Sequence, residues 1–284
     1  MSNNPLQKHF RRPALCIKLP TLGRWYTDGS VDMNQEQQVR IFGLNAKDDI
    51  MLNTPDALLN GHALESVIQS CVPEVRDPKK LLQPDLDAIF LGIKAATNNG
   101  RFEIERKCEE CKHENNFEVQ CARLIDMTTY VEDSDTVIMI GSDLRVRIKP
   151  YSYEMRTMMI QKQLEEQRVL TAVEQDEKIT DDMQRADILA RSIEKLTTMT
   201  FNLVAQSVTS IEILGQDAMV VTDSEHIAEW LTNIDKSTAD AVIEAVNALN
   251  EVGPPKETEA QCKECGHRWK EKLSFDPALF FTRR

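Results

Sequence analysis

The 284-residue chain has no long apolar run. Its longest uncharged stretch, Thr197 to Ile211, is too short and too rich in Thr, Ser, Asn and Gln to span a bilayer, which takes about 20 apolar residues. The first residues, Met1 to Pro13, are polar and are not followed by the apolar core of a secretory signal, so the chain is expected in a cytoplasm. A basic surplus is missing as well. There are 34 Lys and Arg against 46 Asp and Glu, a net charge of −12, and no evident basic stripe, which argues against the clustered phosphate contacts of a DNA binder. The chain also lacks a Gly-rich phosphate loop, His-Glu-x-x-His, Gly-x-Ser-x-Gly and a dinucleotide fingerprint. His226 reads as a surface histidine, and the acidic pairs Asp176-Glu177 and Asp181-Asp182 read as solvated linker and helix-start charges. No catalytic constellation remains, and the expectation is a protein that is not an enzyme.

What is present is an ordinary globular composition, 41% hydrophobic and 28% charged, in a chain long enough for roughly two domains. The acid is concentrated. Tyr151 to Asn250 holds 8 Lys plus Arg against 18 Asp plus Glu, while the flanks are close to neutral. Strand-like pieces broken by Pro20, Gly23 and Gly29 open the chain. Buried helices follow, including "PDLDAIFLGIKAATNNG", for which Asn98-Asn99-Gly100 supplies a stop. "RFEIERKCEECKHENNFEVQC" alternates apolar and polar residues on both sides of a Cys-x-x-Cys, which predicts a β-hairpin with the cysteines at its tip. Cys121 continues that alternation as a small buried hydrophobe. "DTVIMIGSDLRVRIKP" predicts a second hairpin turning at Gly141-Ser142-Asp143.

From Ser152 the period becomes helical. Met183, Ala186, Ala190, Ile193, Leu196, Thr200, Leu203 and Ser207 recur at three- and four-residue steps, with Thr180 as N-cap. The methionines of "EMRTMMIQKQL" are read as core or helix-packing residues. The last stretch, "AQCKECGHRWKEKLSFDPALFFTRR", is strand-like again, with His267 and Trp269 alternating toward Leu273 and Phe275. These signals predict an α+β chain. A mixed N-terminal region covers 1–100, half of a ribbon with an adjoining hairpin covers 101–150, an acidic and mostly helical insertion covers 151–252, and the other half of the ribbon with an apolar tail covers 253–284.

The cysteines carry the chemistry. "KCEECKH" and "QCKECGH" are matched motifs about 150 residues apart, and a reducing compartment turns paired Cys-x-x-Cys away from disulfides and toward metal or redox use. A redox pair belongs at a helix N-terminus with basic neighbours; here Glu109 and Glu110 lie between strand-like flanks. The better reading is one discontinuous zinc ribbon, with Cys108, Cys111, Cys262 and Cys265 closing a tetrahedral structural site for one Zn per chain. His113 and His267 are the substitute ligands. Gly266 suits the left-handed turn after the second knuckle, where the first has Lys112. Arg106, Lys107, Lys112, Lys263, Arg268 and Lys270 stand near enough in sequence to offset the charge of four thiolates. Closing the long intervening loop costs roughly 4–5 kcal/mol. Structural zinc in small peptides is worth about 10–16 kcal/mol, so the metal outweighs the loop.

The order of "IKLPTLGRWY", "NTPDALLNGHALESVIQSCV" and "LDAIFLGIKAATNNGRFEIERKCEECKHEN", with the late "CKECGH" and "FDPALFF", resembles the baseplate hub and hub-assembly proteins of contractile-tailed, T-even-type bacteriophages. The likeness covers residues 14–120 well and 224–281 loosely, and hardly touches 151–210. It implies a non-enzymatic virion protein of the tail baseplate, assembled in the host cytoplasm. Its implied partners are other hub and tail proteins, with self-association in a symmetric assembly and no nucleic acid or membrane. Phe280 and Phe281 would dock on a partner or on the chain's own core. The alternatives are a tail-assembly chaperone absent from the mature particle and a zinc-ribbon regulator that binds nucleic acid.

Overall fold

The computed structural model describes residues 5–54, 62–97, 100–175, 182–215 and 218–275. Phe280, Phe281, Thr180, Asn98, Asn99 and the acidic residues Asp176, Glu177 and Asp181 lie outside them, and the side chain of Asp182 is likewise not described. The fold is mixed α+β, with small antiparallel sheets and eight helices among the described residues. It divides into two compact units, Met1–Val131 with Glu251–Arg284, and Glu132–Asn250. No described helix is long and apolar enough to cross a membrane.

The first unit is organised around one helix. Strands β1 (Leu15–Lys18) and β2 (Gln38–Ile41) pair antiparallel. Helices α1 (Ala46–Leu52), α2 (His62–Cys71) and α3 (Gln83–Ala96) follow. Asn45 starts α1 with a capping box, accepting from the Lys47 and Asp48 backbone while the Asp48 carboxylate accepts from the Asn45 N–H. Helix α3 begins with Pro84 in its first turn and is buried from Gln83 to Lys94. Such a helix must be apolar on nearly every face, which is what "AIFLGI" supplies. Its glycine has a packing reason: a Cβ on Gly92 would come to 3.2 Å from Ile41 Cγ1 and 3.4 Å from Ile17 Cδ1, so β1 and β2 lie close against the helix.

Most polar groups on this buried helix find partners rather than being excluded, although the Gln83 Oε1 is buried without one among the described residues. Asp85 accepts from the Thr21 N–H at 2.9 Å, the Thr21 hydroxyl at 2.5 Å and the Tyr26 hydroxyl at 2.6 Å. Tyr26 in turn accepts from the Leu82 N–H. Burial pushes the Asp85 carboxyl up to about 6 even though these three donors pull it down. Gln83 donates to Asp87, which also faces Lys256. Arg11 ties the segment ahead of β1 to α1 and α2 through Gly43, Asp48 and Ser70.

Two further hairpins complete the unit: β3 (Arg101–Lys107) with β4 (Glu114–Gln120), and β9 (Glu257–Gln261) with β10 (Arg268–Lys272). Cys121 is fully buried as expected, but it opens helix α4 (Cys121–Asp126) and does not prolong the strand.

The second unit holds a four-stranded antiparallel sheet in the order β5-β6-β7-β8. Strands β5 (Val137–Ile140) and β6 (Leu144–Ile148) form the hairpin turning at Gly141 to Asp143. Strands β7 (Val208–Ile213) and β8 (Met219–Val221) were not visible in the residue pattern. Arg145 and Arg147 of β6 both reach Glu212 of β7, at 3.0 and 2.6 Å. The helices are α5 (Tyr153–Gln175), α6 (Asp182–Ser207), α7 (Ser224–Asn233) and α8 (Lys236–Glu251). Asp223 caps α7, and Asp235 caps α8 through the Thr238 N–H.

The helical stripe read on α6 is buried only near its C-terminal end, at Leu203 and Ser207. Met183 is 81% exposed and Ile193 62% exposed. Spacing fixes which residues share a face; it does not say whether the same chain covers that face.

Candidate metal centre

The two cysteine knuckles are copies of one local structure. In the first, the Cys108 N–H donates to the His113 carbonyl at 2.9 Å and the Lys112 N–H to the Cys108 carbonyl at 3.0 Å. In the second, Cys262 donates to His267 at 2.8 Å and Gly266 to Cys262 at 3.0 Å. Both place their fifth residue in the left-handed region, with φ of 60° at Lys112 and 74° at Gly266. Glycine takes that conformation freely, whereas a side chain there costs about 1 kcal/mol. Neither knuckle opens a helix, so the helix-dipole activation of a redox Cys-x-x-Cys is missing here.

The fold brings the tips together. The sulfurs of Cys108, Cys111, Cys262 and Cys265 all lie within 4.8 Å of one another. Cys108 Sγ is 3.6 Å from Cys265 Sγ, and Cys111 Sγ is 3.5 Å from Cys262 Sγ. A disulfide would need about 2.05 Å. Metal–sulfur bonds of about 2.3 Å in a tetrahedron put the sulfurs about 3.8 Å apart. The four cysteines are therefore positioned to hold a metal ion. The first of each pair is buried and the second exposed.

The electrostatics have the same implication. Cys262 is drawn down to about 6, by the Cys265 N–H first and then by the Glu264 N–H, Asn115 and Cys111. Cys265 is pushed up to about 12, because the neighbouring thiols and burial outweigh the His267 N–H that favours its thiolate. Cys111 is raised in the same way despite the His113 N–H. Four thiols this close cannot all ionise beside one another unless a cation takes the place of their protons.

Asn115 escaped the sequence reading. It is only 2% exposed, and it joins one knuckle to the other. Its Nδ2 donates to the His113 carbonyl at 3.0 Å and points at Cys262 Sγ at 3.5 Å, while its Oδ1 accepts the Lys263 N–H at 2.9 Å. Such a contact fixes a thiolate ligand from behind. Below the tips the hairpins stack. Phe117 meets Trp269 edge-on at 5.5 Å, and Glu271, 7% exposed, accepts from Arg106 at 3.1 Å and from the Trp269 indole at 3.0 Å.

The other expected participants lie elsewhere. His113 is exposed, and His267 stacks on Trp269 at 5.8 Å. Neither belongs to the four-sulfur cluster. Arg106 pairs with Glu271, Lys107 with Glu114, and the Lys112 ammonium donates to the Glu109 carbonyl.

Two hairpins from distant parts of the chain, brought tip to tip with four convergent thiols, define a protein with a ribbon whose cysteines are positioned to hold a metal ion. The chain belongs to the family described as T4 bacteriophage base plate protein, whose model matches residues 29–282. That match runs through the acidic middle, which the motif resemblance hardly reached. Membership makes this a structural protein of the phage tail baseplate, a virion component that works with other tail and baseplate proteins. No curated protein and no solved structure matches the chain.

Proposed function

We propose that the protein is a non-enzymatic subunit of the baseplate hub, joining tail-tube, hub and baseplate components through protein–protein contacts, and that Cys108, Cys111, Cys262 and Cys265 bind one structural Zn²⁺. The observation that carries the reading is the four-sulfur cluster inside a chain of the baseplate family. Zinc suits four thiolates in a closed tetrahedral set. It clamps the last hairpin of the first unit to its partner about 150 residues earlier in the chain.

Two measurements test this. Mass spectrometry of purified particles is expected to find the chain at fixed stoichiometry with hub proteins; its absence from particles, with presence in infected cells, overturns the hub reading in favour of an assembly chaperone. Elemental analysis is expected to give one zinc per chain, lost in Cys108→Ser or Cys262→Ser, and two zincs or none would refute the shared site. A salt-dependent gel shift of DNA or RNA would replace both readings with that of a nucleic-acid-binding regulator.

A further inference from the structure

The two knuckles match position for position from Cys108 and Cys262 to His113 and His267. Two residues later the copy ends, with Asn115 on the first hairpin and Trp269 on the second. Trp269 turns its indole N–H to Glu271 of its own strand at 3.0 Å. Asn115 reaches across to the other knuckle. Its neighbours fix which way the amide faces. The Lys263 N–H can meet only an oxygen, at 2.9 Å, and the His113 carbonyl only an N–H, at 3.0 Å. The second amide hydrogen is left for Cys262 Sγ at 3.5 Å. Among the described residues no other side-chain nitrogen or oxygen donates to any of the four sulfurs.

We infer that Asn115 is a positioning residue for the metal: it orients the Cys262 sulfur and takes up part of its charge, so that one amide on the first hairpin sets how tightly the second knuckle holds the ion. The inference rests on the zinc reading and not on the hub reading. Four thiolates around one Zn²⁺ leave a surplus of negative charge. Cations that the sequence places near enough to offset it are engaged elsewhere: Arg106 with Glu271, Lys107 with Glu114, Lys112 with the Glu109 carbonyl and Lys270 with Glu257. The sulfurs must then draw on N–H donors, and a hydrogen bond to an ionised group is stronger than one between neutral groups. Asn115 is buried, so water is poorly placed to replace its contact, and the low local dielectric strengthens it. Asn116 supplies the contrast. It is exposed and donates to Glu103 instead. Cys108, the counterpart of Cys262 in the first knuckle, has no side-chain donor of this kind among the described residues, which makes Cys262 the better-anchored ligand.

The test uses the full chain, loaded with zinc or with cobalt(II) as a spectroscopic stand-in. Zinc affinity is measured by competition with a chromophoric chelator under reducing conditions, with circular dichroism alongside. Asn115→Ala is expected to weaken zinc about 10–100-fold, the range for groups that orient a metal ligand. Asn115→Asp should weaken it further, because a carboxylate would face the His113 carbonyl and the Cys262 sulfur. In the cobalt form, Asn115→Ala should move the sulfur-to-cobalt charge-transfer band to longer wavelength, since a thiolate without its hydrogen bond gives up an electron more easily. A purely structural role would cost stability and leave that band in place. Asn116→Ala, one residue along, should keep zinc affinity within about twofold and the band unmoved. If Asn115→Ala fails to fold, Asn115→Ser keeps a polar group for the Lys263 N–H and is read in the same two ways. A folded Asn115→Ala variant that keeps wild-type affinity or an unmoved cobalt band overturns the inference, as does an equal loss at Asn116. A wild-type chain that takes up neither metal overturns the zinc reading and the inference together.

Discussion

Helix α3 in the first unit and helix α5 in the second differ in almost every way that matters to stability. Twelve consecutive residues of α3 are buried, and its carboxylates and glutamine have partners inside the unit. The described side chains of α5 are all at least partly exposed, and it is tied to α6 by one carboxylate and a few methionines. One helix finishes a core; the other presents a surface. The first unit should therefore hold most of the chain's intrinsic stability, and the α5–α6 hairpin should tolerate substitution until an assembly needs it.

The largest effect is expected from the metal. Strong chelation, or Cys262→Ser, should abolish hydrogen-exchange protection in β3, β4, β9 and β10, since structural zinc is worth about 10–16 kcal/mol. The sheet β5–β8 should keep its protection; loss there too would break the contrast between the units. Next comes the core of α3. Phe90→Ala should lower unfolding free energy by about 3–5 kcal/mol in denaturant titrations. A loss under about 1 kcal/mol would mean that α3 is less tightly packed than its burial implies.

Asp85 gives a pH signature. Its folded carboxyl titrates at about 6 against an ordinary value of 3.8. Between those values the folded chain holds a proton that the unfolded chain has released, so stability from this group falls as pH rises through the window and is flat above it. Asp85→Asn should remove that slope, a difference of up to about 3 kcal/mol between pH 4 and pH 7. If wild type gains stability relative to the variant as pH rises, the assignment is wrong. Smaller still is the asymmetry of the knuckles. Lys112→Gly should tighten zinc about fivefold and Gly266→Ala weaken it by a similar factor in competition titrations, each near 1 kcal/mol. Finally, Leu164→Ala should change the stability of the isolated chain by less than about 0.5 kcal/mol.

The contrast between α3 and α5 also explains which parts of the molecule could be read from sequence. The alternation around Cys108 and Cys262 is local, and the matched motifs allowed one economical assembly, so the hairpins and the cluster were legible. The run from Ala88 to Ile93 is apolar on every face and could only be interior. The role of Asn115 was missed. The alternation through Phe117 and Val119 puts Asn115, not Asn116, on their face, but a local pattern does not show that this face meets the second knuckle. Strands β7 and β8 were hidden because β7 begins at Val208, directly after the last residue of α6, with no Gly or Pro between them. The stripe on α6 was legible as a pattern but its burial was not, because a period of 3.6 names a face and not its neighbour.

The knuckles also impose a schedule. Cys108 and Cys111 leave the ribosome about 150 residues before Cys262 and Cys265. At roughly 5–20 residues per second the first pair waits about 8–30 s for the second. During that interval the whole of Glu132–Asn250 is made, and it can fold as a unit of its own. The nascent chain thus holds an incomplete metal site with two unpaired thiols while its middle matures. Closure of the cluster has to wait for the second knuckle, and a product truncated before Cys262 cannot complete it.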